Sequence, residues 1–228
     1  MPTIAIVGAG ARLGLSLGRV FGRHGYQVAL LARNPERLDG LVQQLTAENV
    51  DAAGFTADVL NRPGLTDALA RAADRFGGID VLEYSPTVAG AASGGAYTSA
   101  VDLTVDGVQA QVDTTCHGAL AATRAVLPAM RAAGSGALLY TTGAASVHPT
   151  PMFAGPGIAA AGLRNWVLNL NALLADEGVY ACHVSIGVWL EGTPTPTPDT
   201  PTTHPDVLAE TYWQLAAART EPERLITA

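Results

Sequence analysis

The stretch Ile4-Ala5-Ile6-Val7-Gly8-Ala9-Gly10-Ala11-Arg12-Leu13-Gly14 decides how the rest of the chain is read. Unbroken apolar residues before Gly8 suit a strand covered on both faces, and the glycines after it suit a turn into a helix. Glycine serves such a turn in three ways: it lets the chain bend sharply, lets backbone N–H groups approach a pyrophosphate, and lets the helix pack close to the sheet. The spacing is GxGxxxG, not GxGxxG. Its place between a buried strand and an amphipathic helix is what points to dinucleotide binding. The competing reading is a tight turn with no ligand.

Outward from that turn, short β-type runs alternate with longer helical ones, the pattern of repeated βαβ units and a parallel sheet. Strands are expected at 3–7, 27–32, 53–57, 79–84, 137–142, 179–186 and 224–227. Helices are expected from the first turn to about His24, from about Asn34 with Pro35 in its first turn, at 63–76, 106–133, 157–176 and 206–219. The fold class is α/β, a single-domain Rossmann-like doubly wound parallel sheet of about seven strands spanning residues 1–228. Residues 193–205 form a Thr/Pro tract, incompatible with helix or central strand, that reads as an extended flap or disordered loop. No internal repeat appears beyond the βα rhythm.

The second strand ends Leu30-Leu31-Ala32-Arg33-Asn34. In a Rossmann unit an acidic residue closing this strand accepts from the ribose 2′-OH, whereas a nearby Arg favours a 2′-phosphate. Ala32 fills the acidic slot and Arg33 follows it, so NADP(H) is expected over NAD(H), with Arg12 as a second phosphate contact. An exposed helix-capping charge is the alternative for Arg33.

Composition narrows the chemistry. All 13 basic residues are Arg, and no Lys occurs. A Schiff-base lysine and a Walker-A lysine are therefore excluded. The net charge of −7 offers no basic stripe for nucleic acid or an anionic membrane. No run approaches the ~20 apolar residues that span a bilayer, and no secretory signal precedes the first strand, so a cytoplasmic protein is expected. Cys116 and Cys182 lie far apart and read as buried small hydrophobes, and the five His are scattered without metal-ligand spacing. No metal is expected.

The sequence resembles the short-chain dehydrogenase/reductase family over nearly its whole length. The resemblance rests on Gly8, Gly10 and Gly14, on Asp58-Val59 after the third strand, on Ile79-Asp80-Val81-Leu82, on Leu127-Pro128-Ala129-Met130 in place of LPxM, and on Gly187 after the sixth strand. It implies that Asp58 and Val59 contact the adenine. The candidate cofactor contacts are Gly8, Gly10, Arg12, Leu13, Gly14, Arg33, Asn34, Asp58, Val59, Ser85 and Gly187.

The catalytic positions depart from the family. There a Tyr exchanges a proton with the substrate oxygen, a Lys lowers that Tyr's pKa, a Ser orients the carbonyl and an Asn completes a relay. Alignment on the flanking landmarks puts Pro156 at the Tyr, Ala160 at the Lys, Gly143 at the Ser and Thr115 at the Asn. Tyr84-Ser85-Pro86-Thr87, preceded by Glu83, replaces Asn-Asn-Ala-Gly, and Ile186 replaces the Pro before Gly187.

Tyr84, at the carboxyl end of the fourth strand, and His148, in the loop after the fifth, fall where the doubly wound rule puts the ligand crevice, and they are the candidate acids. Tyr84 packing against the cofactor and His148 facing water are the alternatives. Trp189 reads either as a pocket wall or as core; Glu83 is buried if its strand is central, which is costly unless it is paired or hydrogen-bonded, for instance to an Arg, and makes it a candidate for a raised pKa. The expected function is a divergent NADP(H)-dependent oxidoreductase acting on a small, fairly apolar carbonyl or related substrate. The alternative is a non-redox pseudoenzyme or isomerase-like protein on the same fold. The weakly charged helices at 106–133 and 157–176, with Leu163, Trp166, Val167, Leu168, Leu170 and Leu174, suggest a homodimer or homotetramer.

Overall fold

The computed structural model describes residues 1–87, 98–194, 197 and 199–227. Seven strands form one parallel sheet: β1 (Thr3–Val7), β2 (Gln27–Ala32), β3 (Ala52–Thr56), β4 (Val81–Tyr84), β5 (Gly136–Gly143), β6 (Val179–Ile186) and β9 (Glu223–Ile226). Their order is β3-β2-β1-β4-β5-β6-β9. The order reverses direction at β1, which pairs with β2 on one side and β4 on the other. That reversal places a crevice at the carboxyl ends of β1 and β4.

Alternation along each strand divides the core. Ala5, Val7, Leu82, Leu138 and Ala181 face α3 (Arg62–Phe76), α5 (Gly118–Ala133) and α6 (Ala154–Leu174). Ile4, Ile6, Val28, Leu30 and Leu139 face α1 (Leu13–Arg23), α2 (Pro35–Ala47) and α7 (Pro205–Ala218). Two buried faces explain why these strands read as continuous apolar runs rather than alternating ones.

Local chemistry sets the helix ends. Asn34 caps α2 by accepting from Arg37 N at 2.8 Å, with Pro35 at the first helical position. Gly77 and Gly134 close α3 and α5 in the left-handed region.

The expected single helix over 106–133 is divided. α4 (Val105–Val112) passes through a π-helical turn (Asp113–His117) into α5. An extra residue per turn rotates the following face, a device that apolar periodicity does not reveal. The sixth helix begins at Ala154, three residues before the expected start, because Pro156 sits in its first turn, where a missing N–H costs nothing. The Thr/Pro tract is partly regular. Thr202–Thr203 forms β8, paired in parallel with β7 (Trp189–Leu190), and Pro205 opens α7. Residues 195, 196 and 198 of the tract lie outside the described residues. Leu163, Val167 and Leu174 are buried under the sheet, so they are core and not surplus surface. Leu120, Ile158 and Leu173 are the exposed large apolar residues of α5 and α6.

Among the described residues, one acidic side chain is fully buried in the central strands. Glu83 stands level with Ile6 and Leu139, facing α7. Its oxygens lie 2.7 Å from the Thr141 hydroxyl and 3.0 Å from the Ser85 hydroxyl, and Thr141 is 2.8 Å from the hydroxyl of Tyr212 in α7. Burial raises the Glu83 pKa to about 8, and the two hydroxyls only partly oppose that rise. The native state thus holds a proton that the unfolded chain sheds above about pH 4.5. The resulting stability is fully present below that pH and is lost progressively as pH rises to about 8, where the native carboxyl ionises too. Glu83→Gln keeps the shape and the hydroxyl partners but cannot titrate. Thermal unfolding followed from about pH 5 to about pH 9 is expected to show a falling wild-type Tm and a flatter one for Glu83→Gln; parallel curves would remove Glu83 as the source.

Candidate functional site

β1 ends where Gly8 takes φ +93, and a Cβ there would lie 2.6 Å from Pro86 N at the end of β4. Glycine is required on both counts. The amides of Gly8 and Ala9 both donate to Leu31 O, tying the turn to β2. A Cβ on Gly14 would lie 2.9 Å from Ala9 Cα, so this glycine allows the helix to sit against its own turn. Gly10 differs, because a Cβ there would meet nothing within 4 Å. Space opens above Gly10, at an α1 N-terminus with no side-chain cap and no acid in its first turn. The amides of Leu13 and Gly14 belong to the first turn, whose N–H groups an α-helix leaves without internal partners. This cradle fits an anionic pyrophosphate.

The other candidate contacts distribute around it. Arg33 is exposed at the end of β2 and makes no ion pair among the described residues. Asn34 spends its side-chain oxygen capping α2. Asp58 accepts from Leu60 N at 3.0 Å, which shapes the turn after β3, and Val59 packs against the α3/α5/α6 core. Ser85 reaches Glu83. The Arg12 guanidinium donates to Gly192 O, just after β7, and so joins the first turn to the segment leading into the Thr/Pro tract. A Cβ on Gly187 would lie 3.0 Å from Ile226 O and 3.4 Å from Ala144 Cβ, so Gly187 is fixed by packing.

Tyr84 is corrected as a candidate acid. Its ring is 1 % exposed and its hydroxyl donates to Thr114 O at 2.5 Å inside the core. Burial holds the phenol proton far above its ordinary pKa. Tyr140 is committed likewise, its hydroxyl 2.6 Å from that of Thr123 with both residues buried. His148 is exposed in the loop between β5 and α6, and its backbone N–H donates to Ala144 O. Gly143 is exposed at the end of β5, Pro156 is half-buried in the first turn of α6, and Ala160 is buried. Thr115 lies half-buried in the π-turn. Trp189 is half-buried in β7 beside Thr202. Cys182 is buried and Cys116 half-buried, with the Cys116 thiol donating to Ala159 O at 3.2 Å and its pKa raised by burial.

A second polar cluster that no motif marks lies toward the carboxyl ends of β5 and β6, made of Thr142, Ser146, His183 and Ser185 with Glu223 and Arg164. A signal was present. His183 and Ser185 are polar residues two apart in an otherwise apolar strand, and so share a face.

Comparison with known proteins agrees with the fold. A family model described as short chain dehydrogenase matches residues 2–198. An uncharacterized oxidoreductase of Staphylococcus epidermidis is 27% identical over 184 residues, covering 80% of this chain and 76% of that protein. One from Staphylococcus aureus is 26% identical over 184 residues, with the same coverage of 80% and 76%. L-Sorbose reductase from Gluconobacter frateurii, solved with NADPH and L-sorbose, superposes with a TM-score of 0.86 at 18% identity, over 99% of this chain and 95% of that one. An alcohol dehydrogenase from Thermococcus sibiricus, solved with 5-hydroxy-NADP, gives 0.83 at 22% identity, over 99% and 96%. No helix among the described residues is long and apolar enough to cross a membrane. With a glycine turn at the switch point of a seven-stranded parallel sheet and a family match over most of its length, the chain belongs to the short-chain dehydrogenase family.

Proposed function

We propose that this oxidoreductase uses NADP(H) to interconvert a small, fairly apolar carbonyl compound and its alcohol, with an acid other than the family's Tyr. The observation that carries the cofactor preference is Arg33: exposed, free of acidic partners among the described residues, and following Ala32 at the end of β2. A carboxylate at that position would repel a 2′-phosphate, whereas a guanidinium can grip it with paired hydrogen bonds. The L-sorbose reductase was solved with NADPH and the alcohol dehydrogenase with 5-hydroxy-NADP, which favours the same cofactor here. Relatives named as oxidoreductases favour redox chemistry over a non-redox role.

The cofactor would lie with its pyrophosphate over Gly10 and the first turn of α1, and its adenine near Asp58 and Val59. When bound, it supplies or accepts the hydride. The protein must then stabilise the oxygen on which negative charge develops. An apolar substrate suits the half-buried Trp189 and Leu190 of β7, which would wall its pocket. The exposed Leu120, Ile158 and Leu173 favour a homodimer or homotetramer through α5 and α6.

Titration with NADPH and NADH, followed by transfer from tryptophan fluorescence, tests the cofactor assignment. NADPH is expected to bind more tightly, and Arg33→Ala is expected to weaken NADPH by about 10- to 100-fold, the worth of a charge-assisted hydrogen bond, while leaving NADH nearly unchanged. Tighter NADH binding in the wild type would remove the assignment. Light scattering at micromolar concentration should give a multiple of the 23.4 kDa chain mass, and a monomer would remove the oligomer.

A further inference from the structure

The face of the sheet covered by α6 carries a polar chain that the phosphate turn does not use. His183 is fully buried in β6, yet both ring nitrogens have partners: Nε2 lies 2.8 Å from Thr142 Oγ1 and Nδ1 lies 3.0 Å from Glu223 Oε1. Glu223, the first residue of β9, is gripped by Arg164 of α6, whose Nη2 donates to Oε2 at 2.7 Å. Thr142 is partly exposed next to the end of β5, and its hydroxyl also lies 3.1 Å from Ser146 Oγ. One end of the chain therefore reaches a partly exposed residue at the carboxyl edge of the sheet, and the other is closed by an ion pair.

Chemistry fixes the proton positions. Arg164 first, and then His183, hold the Glu223 carboxyl below the ordinary carboxylate range, so it is ionised and can only accept. The His183 Nδ1 facing it must then carry the hydrogen. Burial pushes the His183 imidazole below its ordinary pKa, against the pull of Glu223, so the neutral ring is favoured and Nε2 presents a lone pair to the Thr142 hydroxyl. Glu223 and Arg164 are the charged groups facing the ring. Hydroxyl, imidazole and carboxylate in this order form the arrangement that lets a hydroxyl give up its proton.

We propose that Thr142, His183 and Glu223 form the proton relay of this enzyme, with the Thr142 hydroxyl meeting the substrate oxygen. The proposal rests on the reading of the chain as an NADP(H)-dependent dehydrogenase. In the oxidative direction the substrate O–H bond breaks and its proton passes to Thr142 Oγ1, while the hydroxyl's own proton passes to His183 Nε2. The hydride leaves the carbinol carbon for NADP+, and the electron pair of the broken O–H bond completes the C=O bond. His183 then stands as imidazolium beside the Glu223 carboxylate and later loses its proton by the same path. Reduction runs the steps in reverse. Thr142 is the catalytic residue; His183 exchanges protons through it, and Glu223 and Arg164 position the ring. The relay meets a need set by composition and packing, since the chain has no Lys and the hydroxyls of Tyr84 and Tyr140 are turned into the core.

The test combines two measurements on the full chain. Protein labelled with 15N in histidine, assigned against His183→Gln, is expected to show a neutral Nδ1–H ring for His183 at neutral pH, with an Nε2 shift that moves in Thr142→Val. Reduction of 2,3-hexanedione by NADPH is expected to fall by about 100-fold or more in Thr142→Val, the usual worth of positioned acid–base catalysis, and to recover largely in Thr142→Ser. Its rate should decline as pH rises through the titration seen in the His183 spectra, and that decline should move to lower pH in Glu223→Gln. A Thr142→Val rate near wild type, or a pH profile indifferent to Glu223→Gln, would overturn the relay, as would loss of activity in His148→Ala with Thr142→Val active. A wild type that binds no NADPH defeats the cofactor reading instead. In that case, or if the diketone is not turned over, the spectra decide alone: an Nε2–H ring, or an Nε2 shift unmoved by Thr142→Val, overturns the proposal.

Discussion

The close approach of Gly8 to the end of β4 is the constraint on which the rest depends. A Cβ at Gly8 would sit 2.6 Å from Pro86 N, so β1 can leave the sheet beneath the end of β4 only because that residue has no side chain. The first amides of the turn are joined to Leu31 O, and α1 begins with no side-chain cap at the switch point. A cradle for negative charge follows directly. No cationic side chain is needed to make it, which suits a chain without lysine.

A sheet covered on both faces gives polar residues little room, and where they occur they stand in chains of mutual hydrogen bonds. Glu83, Thr141, Tyr212 and Ser85 make one such chain toward α7. Thr142, His183, Glu223 and Arg164 make another toward α6. Thr141 and Thr142 are neighbours in β5, and the pleat sends their hydroxyls to opposite faces. One strand end therefore serves two networks. The first encloses a fully buried acid, whereas the second runs from the ion pair of Arg164 and Glu223 to the partly exposed Thr142.

The exposed positions of α5 and α6 illustrate the difference between composition and placement. Both helices are rich in small and apolar residues, yet Leu163, Val167 and Leu174 are consumed by the sheet. Leu120, Ile158 and Leu173 remain outside. The π-turn contributes to this arrangement, because it changes which residues of the following helix face inward.

The sequence by itself determined the sheet, the glycine turn at residues 8–14, the place of Glu83 in the fourth strand and the absence of lysine, because strand burial and glycine geometry are local properties that leave a periodic mark. It also placed Arg33 beside the end of β2. Three things were decided only by the tertiary structure: that Tyr84 turns its hydroxyl to Thr114 O, that Arg12 reaches across to Gly192 O, and that His183 meets Thr142 and Glu223. Each joins residues between 30 and 180 positions apart, or in His183's case 41 and 40, and such contacts are set by how strands stack side by side, which no spacing along one segment records.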